Sequence, residues 1–268
     1  MKRSIITTCI VIIGAVVVTT LSIDAADTLR GRSGTLLSSV ISSKSDGCPV
    51  GMVKISGETI SCVDIYENSA TEECPHITPL NLLDTKENID DAHCHSTSLE
   101  NTMPWTNVTR EQARTLCAAR GARLPSNDEW YEIALSARDT PNTCNTDSAG
   151  PSLTGSFKEC KTSGGVYDLI GNVWEWTKDD VIDGSFNGRQ LPDSGYVSQV
   201  DQSGVATLST PSPNDAFFKD YMWSDKKGAF GILRGGFYGS KSDAGIYTLH
   251  AKTLPTTTGV GIGFRCVQ

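Results

Sequence analysis

Basic side chains are scarce in this sequence of 268 residues. It has 23 lysines and arginines against 31 aspartates and glutamates, a formal net charge of −8. Nucleic-acid-binding proteins need a basic surface that displaces counterions from phosphates, so no nucleic-acid partner is expected. The sequence also lacks an internal repeat and a phosphate-cradling glycine loop. With 38% hydrophobic and 20% charged residues, its composition is that of an ordinary globular protein.

One long uncharged apolar run occurs, over residues 5–23, directly after two basic residues. A basic start, an apolar stretch and a small-residue exit are typical of a secretory signal, and the run is also long enough to span a bilayer. We therefore expect residues 1–26 to be a signal peptide or a membrane anchor. A cleaved signal peptide would leave the rest of the chain secreted, and an anchor would hold it at the cell surface through residues 5–23. Both alternatives place the rest of the chain outside the cytoplasm.

The cysteines indicate an oxidising compartment. Cys9 lies inside the apolar run, and the other eight of the nine lie in the expected domain, residues 48–268. Residues 27–47, rich in serine and glycine, are expected to be a flexible spacer before this domain. An even number of cysteines in an exported chain predicts four disulfides, whose connectivity the residues alone leave open.

Two helices are predicted from their capping residues. Thr109 and Gln112 form a capping box at the start of one helix, and Gly121 supplies its end. Ser126 and Glu129 form the same box at the start of a second helix. Apolar residues at helical spacing then predict one buried face: Trp130, Ile133, Ala134 and Ala137.

The remaining segments predict strands and loops. A hairpin is expected within residues 52–65, and strands are expected at 233–238 and 262–267. Residues 67–104 and 180–228 are polar and rich in turn residues, so they are expected to be irregular loops. The segments together predict an α+β domain with two short helices, short antiparallel strands and long loops.

Four motifs occur in the order and spacing of one protein family: NVTREQARTLCAARGARLPSNDEWYEIA at 107–134, GVYDLIGNVWEWTKD at 165–179, LRGGFYG at 233–239 and GFRCV at 263–267. Through them residues 48–268 resemble the sulfatase-modifying-factor family, whose named enzyme is the formylglycine-generating enzyme. The resemblance implies an irregular α+β domain, a variant of the C-type lectin fold. This implication agrees with the loop-rich pattern.

The resemblance also implies one disulfide, between Cys117 in the first predicted helix and Cys266 in the GFRC motif. Closing so long a loop stabilises a protein by roughly 5 kcal/mol in the chain-entropy treatment. The other pairs are expected from proximity along the chain: Cys48–Cys62, Cys74–Cys94 and Cys144–Cys160.

For the oxidase of this family, the resemblance implies a Cu(I) ion held by two cysteines between the RGG and GFRC motifs. Thiolates suit Cu(I), whereas hydroxyl groups do not. This chain has no cysteine between Cys160 and Cys266; Ser240 stands at the first position and Gly245 near the second. No catalytic residue and no copper are therefore expected. Whether the chain is an enzyme is left open, with a non-catalytic function favoured.

The resemblance implies structural calcium in the segment around Trp174 and Trp176. The implied ligands are the backbone carbonyls of Ile170, Gly171 and Val173 and the carboxylate of Glu175. Calcium takes six to eight oxygens, and irregular loops supply carbonyl oxygens. Alternatively, both tryptophans are core residues and Glu175 pairs with an arginine. Asn145 and Asp147 are candidates for a second calcium site.

The segment between RGG and GFRC also resembles the variable segment of surface proteins that are diversified by retroelements. Its expected exposed positions are Phe237, Tyr238, Ser240, His250, Lys252, Thr253 and residues 256–259. Aromatic and small polar side chains make adaptable contacts, which suits a ligand surface. The alternative is an ordinary C-terminus of the family.

These observations favour an exported, non-catalytic module that binds a protein, a peptide or a glycan. Three alternatives stay open. One is an enzyme or maturation factor of the same family with different chemistry, and another is a retroelement-diversified surface binding protein. The third is a structural component of a cell envelope.

Overall fold

The computed structural model describes residues 47–55, 60, 62–140 and 142–268. One compact unit covers Cys48–Gln268. The leader expected over residues 1–26, and all of the expected spacer except Gly47, lie outside the described residues. No helix in the described part of the chain is long and apolar enough to cross a membrane.

Three α-helices form in the described residues: α1 (Leu82–Asp90), α2 (Arg110–Ala119) and α3 (Asn127–Ala134). Both predicted capping boxes are confirmed, with Thr109 and Gln112 at the start of α2 and Ser126 and Glu129 at the start of α3. Gly121 follows α2 with a φ of +70°, the left-handed conformation that ends many helices. Local capping chemistry was therefore sufficient to place two of the helices.

Helix α1 corrects the expectation of a loop over residues 67–104. Asn81 caps it, because its side chain accepts hydrogen bonds from two backbone amides of the first turn. The two leucines that begin the helix are 47% and 60% exposed, whereas Thr85 and Asn88 are buried. A helix that buries polar side chains has no hydrophobic periodicity by which a sequence could reveal it.

The strands form two small sheets and one large sheet. The small sheets pair β1 (Met52–Lys54) with β2 (Cys62–Asp64), and β3 (Asn68–Ala70) with β4 (Ser96–Ser98). The main sheet contains β5 (Trp174–Ile182), β6 (Ser185–Phe186), β7 (Arg189–Gln190), β8 (Gly195–Val200), β9 (Ala206–Thr210), β10 (Tyr221–Ser224), β11 (Ala229–Arg234), β12 (Leu249–Thr253) and β13 (Ile262–Gly263). Its order is β7-β6-β5-β11-β12-β10-β8-β9, with β13 paired to β5. The pairs β10–β12 and β5–β13 are parallel, and the other pairs are antiparallel as expected.

The expectation of an irregular loop over residues 180–228 is wrong, because this segment contains the complete strands β6 to β10. These strands are too short for an alternating pattern to stand out among the turn residues around them. The strand expected at 233–238 ends at Arg234, since Gly235 and Gly236 turn the chain with φ of +85° and +88°. Of the strand expected at 262–267, two residues lie in the main sheet.

The four expected disulfides are confirmed: Cys48–Cys62, Cys74–Cys94, Cys117–Cys266 and Cys144–Cys160. The third ties helix α2 to the C-terminal residues across a sequence separation of 149. Four disulfides are typical of proteins that fold in an oxidising, extracytoplasmic compartment.

The core contains three groups of buried apolar side chains. One surrounds Trp176 and the Cys117–Cys266 disulfide, and a second surrounds Trp130. The third includes Met222 from β10 and Leu249 from β12, so one face of the main sheet is buried. Alternate residues of the same strands point to the opposite face, where the candidate site lies.

Candidate functional site

Seven ring side chains form a continuous row across the main sheet. We call it the aromatic row; its members are Tyr196 of β8, Tyr221 and Trp223 of β10, His250 of β12, Trp174 of β5, and Phe237 and Tyr238 of the loop after β11. In that order, successive ring centroids lie 5.0, 4.6, 5.4, 5.6, 6.4 and 4.9 Å apart. These spacings are those of stacked and edge-to-face aromatic contacts. Trp174 is buried and the other six members are half-buried.

Strand register assembles most of the row. Within β10, Met222 is buried, so Tyr221 and Trp223 lie together on the other face. Tyr221 is directly opposite Tyr196 on β8, and Trp223 is directly opposite His250 on β12. Cross-strand neighbours on one face are close enough for their rings to touch.

The loop after β11 supplies the remaining part of the row. A Cβ at Gly236 would lie 2.5 Å from the Cβ of Ala244, so the tight turn at that position requires glycine. The ring of Phe237 packs on Gly261, where a Cβ would lie 2.8 Å from its Cδ2. The backbone N–H of Phe237 donates to Oγ of Ser240 at 3.0 Å. These contacts hold the Phe237 ring beside Trp174.

The row carries little charge. Burial, with a smaller contribution from the positive charge of Lys252, lowers the pKa of His250 to about 4, so the imidazole is neutral near pH 7. Its Nδ1 lies 2.9 Å from Oγ1 of Thr253. Lys252 itself is exposed, two residues after His250 on the same strand. The surface therefore offers neutral ring faces with one cation at their edge.

The structure brings together three of the predicted surface residues, Phe237, Tyr238 and His250, and places Ser240 and Lys252 next to them. Of residues 256–259, Thr256 and Thr257 are exposed as expected. Thr258 and Gly259 are half-buried, and the Gly259 carbonyl accepts a hydrogen bond from the backbone N–H of Asn107 at 3.0 Å, near the start of α2. Four members of the row were not predicted from the sequence: Tyr196, Tyr221, Trp223 and Trp174. The alternation Tyr-Met-Trp-Ser at 221–224 was the one local signal that pointed to an aromatic outer face.

Glu175 does not fit the implied calcium site. Its carboxylate accepts hydrogen bonds from Nε and Nη2 of Arg265 at 2.8 and 2.7 Å and from Nε1 of Trp130 at 2.6 Å. Arg265 and Glu175 are both fully buried. Glu175 thus serves as the partner of a buried arginine, and both of its oxygens already accept hydrogen bonds from protein donors.

The second candidate calcium pair, Asn145 and Asp147, does not form a site either. Oδ1 of Asn145 accepts from the hydroxyl of Ser148 at 2.6 Å, and its amide donates to Asn172 at 3.0 Å. Asp147 is exposed. In the part of the chain that the structure describes, no three His, Cys, Asp or Glu side chains are grouped as metal ligands would be. Calcium binding is therefore untested, and the hydrogen bonds at Glu175 count against that carboxylate as a ligand.

The positions at and near which the resemblance implies cysteines, Ser240 and Gly245, differ in surroundings. Ser240 lies at the edge of the aromatic row, where its Oγ accepts from Phe237. Gly245 is buried against Asp220, and a Cβ there would lie 2.0 Å from Oδ1 of Asp220. A side chain at residue 245 would therefore require Asp220 to move.

Comparison with known proteins decides the family. The model of the sulfatase-modifying factor enzyme 1-like domain matches residues 62–268. The chain belongs to this sulfatase-modifying-factor family. Its α+β, C-type lectin-like fold is the one that the motifs implied.

Relatives of this family member include proteins described as inactive. The chain is 30% identical over 141 residues to inactive C-alpha-formylglycine-generating enzyme 2 of Bos taurus, covering 42% of this chain and 46% of that protein. The mouse protein of the same name, from Mus musculus, is 30% identical over 142 residues. The chain thus matches less than half the length of these relatives.

Among solved structures, the chain is similar to the U1 variant of Major Tropism Determinant. Their TM-score is 0.46 at 18% identity, over 82% of this chain and 52% of that one. It is also similar to CarF, with a TM-score of 0.41 at 15% identity over 82% of this chain and 94% of that one.

Proposed function

We propose that this family member is an exported, non-catalytic ligand-binding protein and that the aromatic row contacts its ligand. The observation that supports the proposal is a row of touching rings, six of which keep part of their surface in solvent. Contiguous exposed apolar surface is uncommon in soluble proteins unless it binds a partner.

The chemistry of the row suits a protein, a peptide or a glycan. Tyrosine and tryptophan give large contact area with few rotatable bonds, so ordering them on binding costs little entropy. Neutral His250 adds a ring face without a charge that must be desolvated. Lys252 lies at the edge, where it can contact an acidic group of the ligand without being buried.

The non-catalytic part of the proposal rests on Ser240 and Gly245. A hydroxyl replaces the first thiol, and Asp220 closes the space that a second thiol would need. The relatives described as inactive agree with this inference. The test is incubation of the protein with a cysteine-containing sulfatase peptide, copper and oxygen. Mass spectrometry should detect no formylglycine above a protein-free control, and its formation would contradict the proposal.

The ligand-binding part is tested with the exported protein on glycan and peptide arrays. The retained ligand is then titrated against Trp223→Ala, which removes the ring between Tyr221 and His250. We expect a loss of at least tenfold in affinity, about 1.4 kcal/mol or more, as for a central aromatic contact.

The matched control is Tyr167→Ala. Tyr167 is also half-buried and stacks on another ring, that of Tyr66 at 5.1 Å, but it does not belong to the row. Its removal should leave affinity unchanged. Equal losses in both variants would mean that the row has no special part in binding.

A second candidate function is an enzyme with different chemistry. The observation in its favour is the contact between Thr253 Oγ1 and the neutral His250 imidazole, 2.9 Å apart beside the row. A hydroxyl next to a histidine is the start of a nucleophile–base pair. Phosphonofluoridate labelling of Thr253, lost in His250→Gln, would favour this function over simple binding.

Diversification of the surface is a narrower form of the binding proposal. Phe237, Tyr238 and His250 belong to the segment that resembles a retroelement-varied region, and all three are in the row. A neighbouring reverse transcriptase gene with a template repeat matching residues 233–267 would support it. Export is tested separately, by fractionation and N-terminal sequencing of the mature protein.

A further inference from the structure

An open cavity of about 380 Å³ lies apart from the aromatic row. Its walls come from the loop that follows α3, from the 3₁₀ turn Asp215–Phe217 and its following residues, and from the turn Lys241–Asp243. The volume is within the range of pockets that hold small molecules. None of the residues that line it belongs to the row.

The charges that line the cavity are of both signs, and they are unequally paired. Asp215 and Lys219 lie 3.5 Å apart and compensate each other. Asp139 and Lys241 have no ion-pair partner among the residues that the structure describes. Asp139 accepts one hydrogen bond, from the backbone N–H of Ile246 at 3.2 Å. The exposed Asp147 also lines the cavity without an ion-pair partner in the described structure, so the cavity presents two uncompensated carboxylates and one uncompensated ammonium group.

A second carboxyl group, that of Asp220, lies close enough to Asp139 for their charges to repel each other. Asp220 is fully buried nearby, and its Oδ1 has no hydrogen-bond partner in the described structure. Burial raises the pKa of Asp139 to about 6. A cationic group in the cavity would stabilise the ionised form of this carboxylate.

The rest of the lining is mixed. Its polar members are Thr140, Asn142, Thr146, Asp147 and Ser242, but apolar atoms form the larger part of the cavity surface. The side chains of Ile170, Ala244 and Phe218 face the cavity, and the ring of Phe218 is 46% exposed. We propose that the cavity binds a small zwitterion with an apolar body, an apolar α-amino acid, with its ammonium group at Asp139 and its carboxylate at Lys241. This proposal does not depend on the function of the aromatic row.

The test is calorimetric titration of the protein with leucine, isoleucine, valine, methionine and phenylalanine. At least one should bind saturably. Two analogues of leucine separate the charges: 3-methylbutylamine lacks the carboxylate, and 4-methylpentanoate lacks the ammonium group. Each should bind at least about tenfold more weakly than the amino acid.

Variants locate the site. Asp139→Asn keeps the acceptor for Ile246 and should weaken binding at least about tenfold, and Lys241→Met should weaken it several-fold. Asp193→Asn and Lys227→Met make the same changes at exposed positions and should bind as the unmodified protein does. Melting curves establish that each variant is folded. Saturable binding by none of the five amino acids, or unchanged binding by folded Asp139→Asn, would overturn the proposal.

Discussion

Two fully buried arginines of this protein have opposite surroundings. Arg265 donates hydrogen bonds to both carboxylate oxygens of Glu175 and to the backbone carbonyls of Asp64 and Tyr167, the last two at 2.8 and 2.7 Å. Arg234 stacks on Trp130, with its guanidinium carbon 4.9 Å from the ring centroid, and makes one hydrogen bond. The first arginine joins the sheet to the C-terminus through a satisfied network. The second leaves Nε and Nη1 without a hydrogen-bond partner in the described structure.

The pKa values follow the same contrast. Burial alone would lower the pKa of Arg265, but the neighbouring carboxylates, above all Glu175, raise it. Burial lowers the pKa of Arg234 to about 10, because the charge of Asp220 compensates less than the lost hydration. Satisfied polar networks specify a fold, whereas unsatisfied ones are often found at functional sites. We therefore expect the Arg265 region to contribute more to stability than the Arg234 region.

The largest expected difference comes from one substitution made in both places. Arg265→Met leaves Glu175 buried without its cation and should cost ~3–5 kcal/mol of unfolding free energy. Arg234→Met removes a cation that is poorly paired already and should cost less, ~1–2 kcal/mol. Urea unfolding of both variants measures the difference. Equal costs, or a larger cost at Arg234, would remove the contrast between the two regions.

The next largest effect is expected for a substitution at Gly245, which packs against Asp220. Gly245→Ala places a Cβ against the carboxylate and should cost ~1–3 kcal/mol, as overpacking does. Asp220→Gly in the same chain should recover part of this cost, because the two positions are in contact. Gly150→Ala is the control, since a Cβ there meets no atom within 4 Å. If the double variant is no more stable than Gly245→Ala in unfolding experiments, Asp220 does not fill the space next to residue 245.

A smaller effect concerns pH. Burial raises the pKa of Asp168, near the Arg265 network, from 3.8 to about 6. A raised carboxyl pKa gives stability that is present below about pH 4 and is lost as pH rises through about 6. Asn at position 168 keeps the acceptor for Gly155 and tolerates its φ of +58°.

The melting temperature of Asp168→Asn minus that of the unmodified protein should therefore be larger at about pH 8 than at about pH 5. Melting temperatures at the two pH values measure this, with the exposed Asp193→Asn as the control. A difference between Asp168→Asn and the unmodified protein that does not change with pH would count against a buried, neutralised Asp168.

The smallest expected effect is that of calcium. Because Arg265 already occupies the Glu175 carboxylate, calcium added to chelated protein should move the melting temperature by less than about 1 °C. A larger, saturable rise would mean that a calcium site forms elsewhere or displaces Arg265. Magnesium at the same concentration is the control.

Different parts of the molecule were predictable to different degrees. The capping boxes at Thr109 and Ser126 involve residues three apart, so local sequence revealed helices α2 and α3. Family motifs implied Cys117–Cys266 and the fold. Helix α1 escaped prediction because it buries polar side chains, and strands β6 to β10 escaped because they are short.

The candidate sites depend on contacts that no local pattern contains. The sequence indicated Phe237, Tyr238 and His250 as surface residues, but only the register of β10 with β12 places Trp223 beside His250. Asp139 and Lys241 lie about 100 residues apart in loops without periodicity. Their common cavity follows from the packing of those loops.

The most direct test of the central claim is the affinity ratio of two folded variants for the array-selected ligand. Trp223→Ala removes a ring inside the aromatic row, and Tyr167→Ala removes a comparable stacked ring outside it. Binding through the row predicts a dissociation constant for Trp223→Ala at least about tenfold above that for Tyr167→Ala. A ratio near one would contradict it.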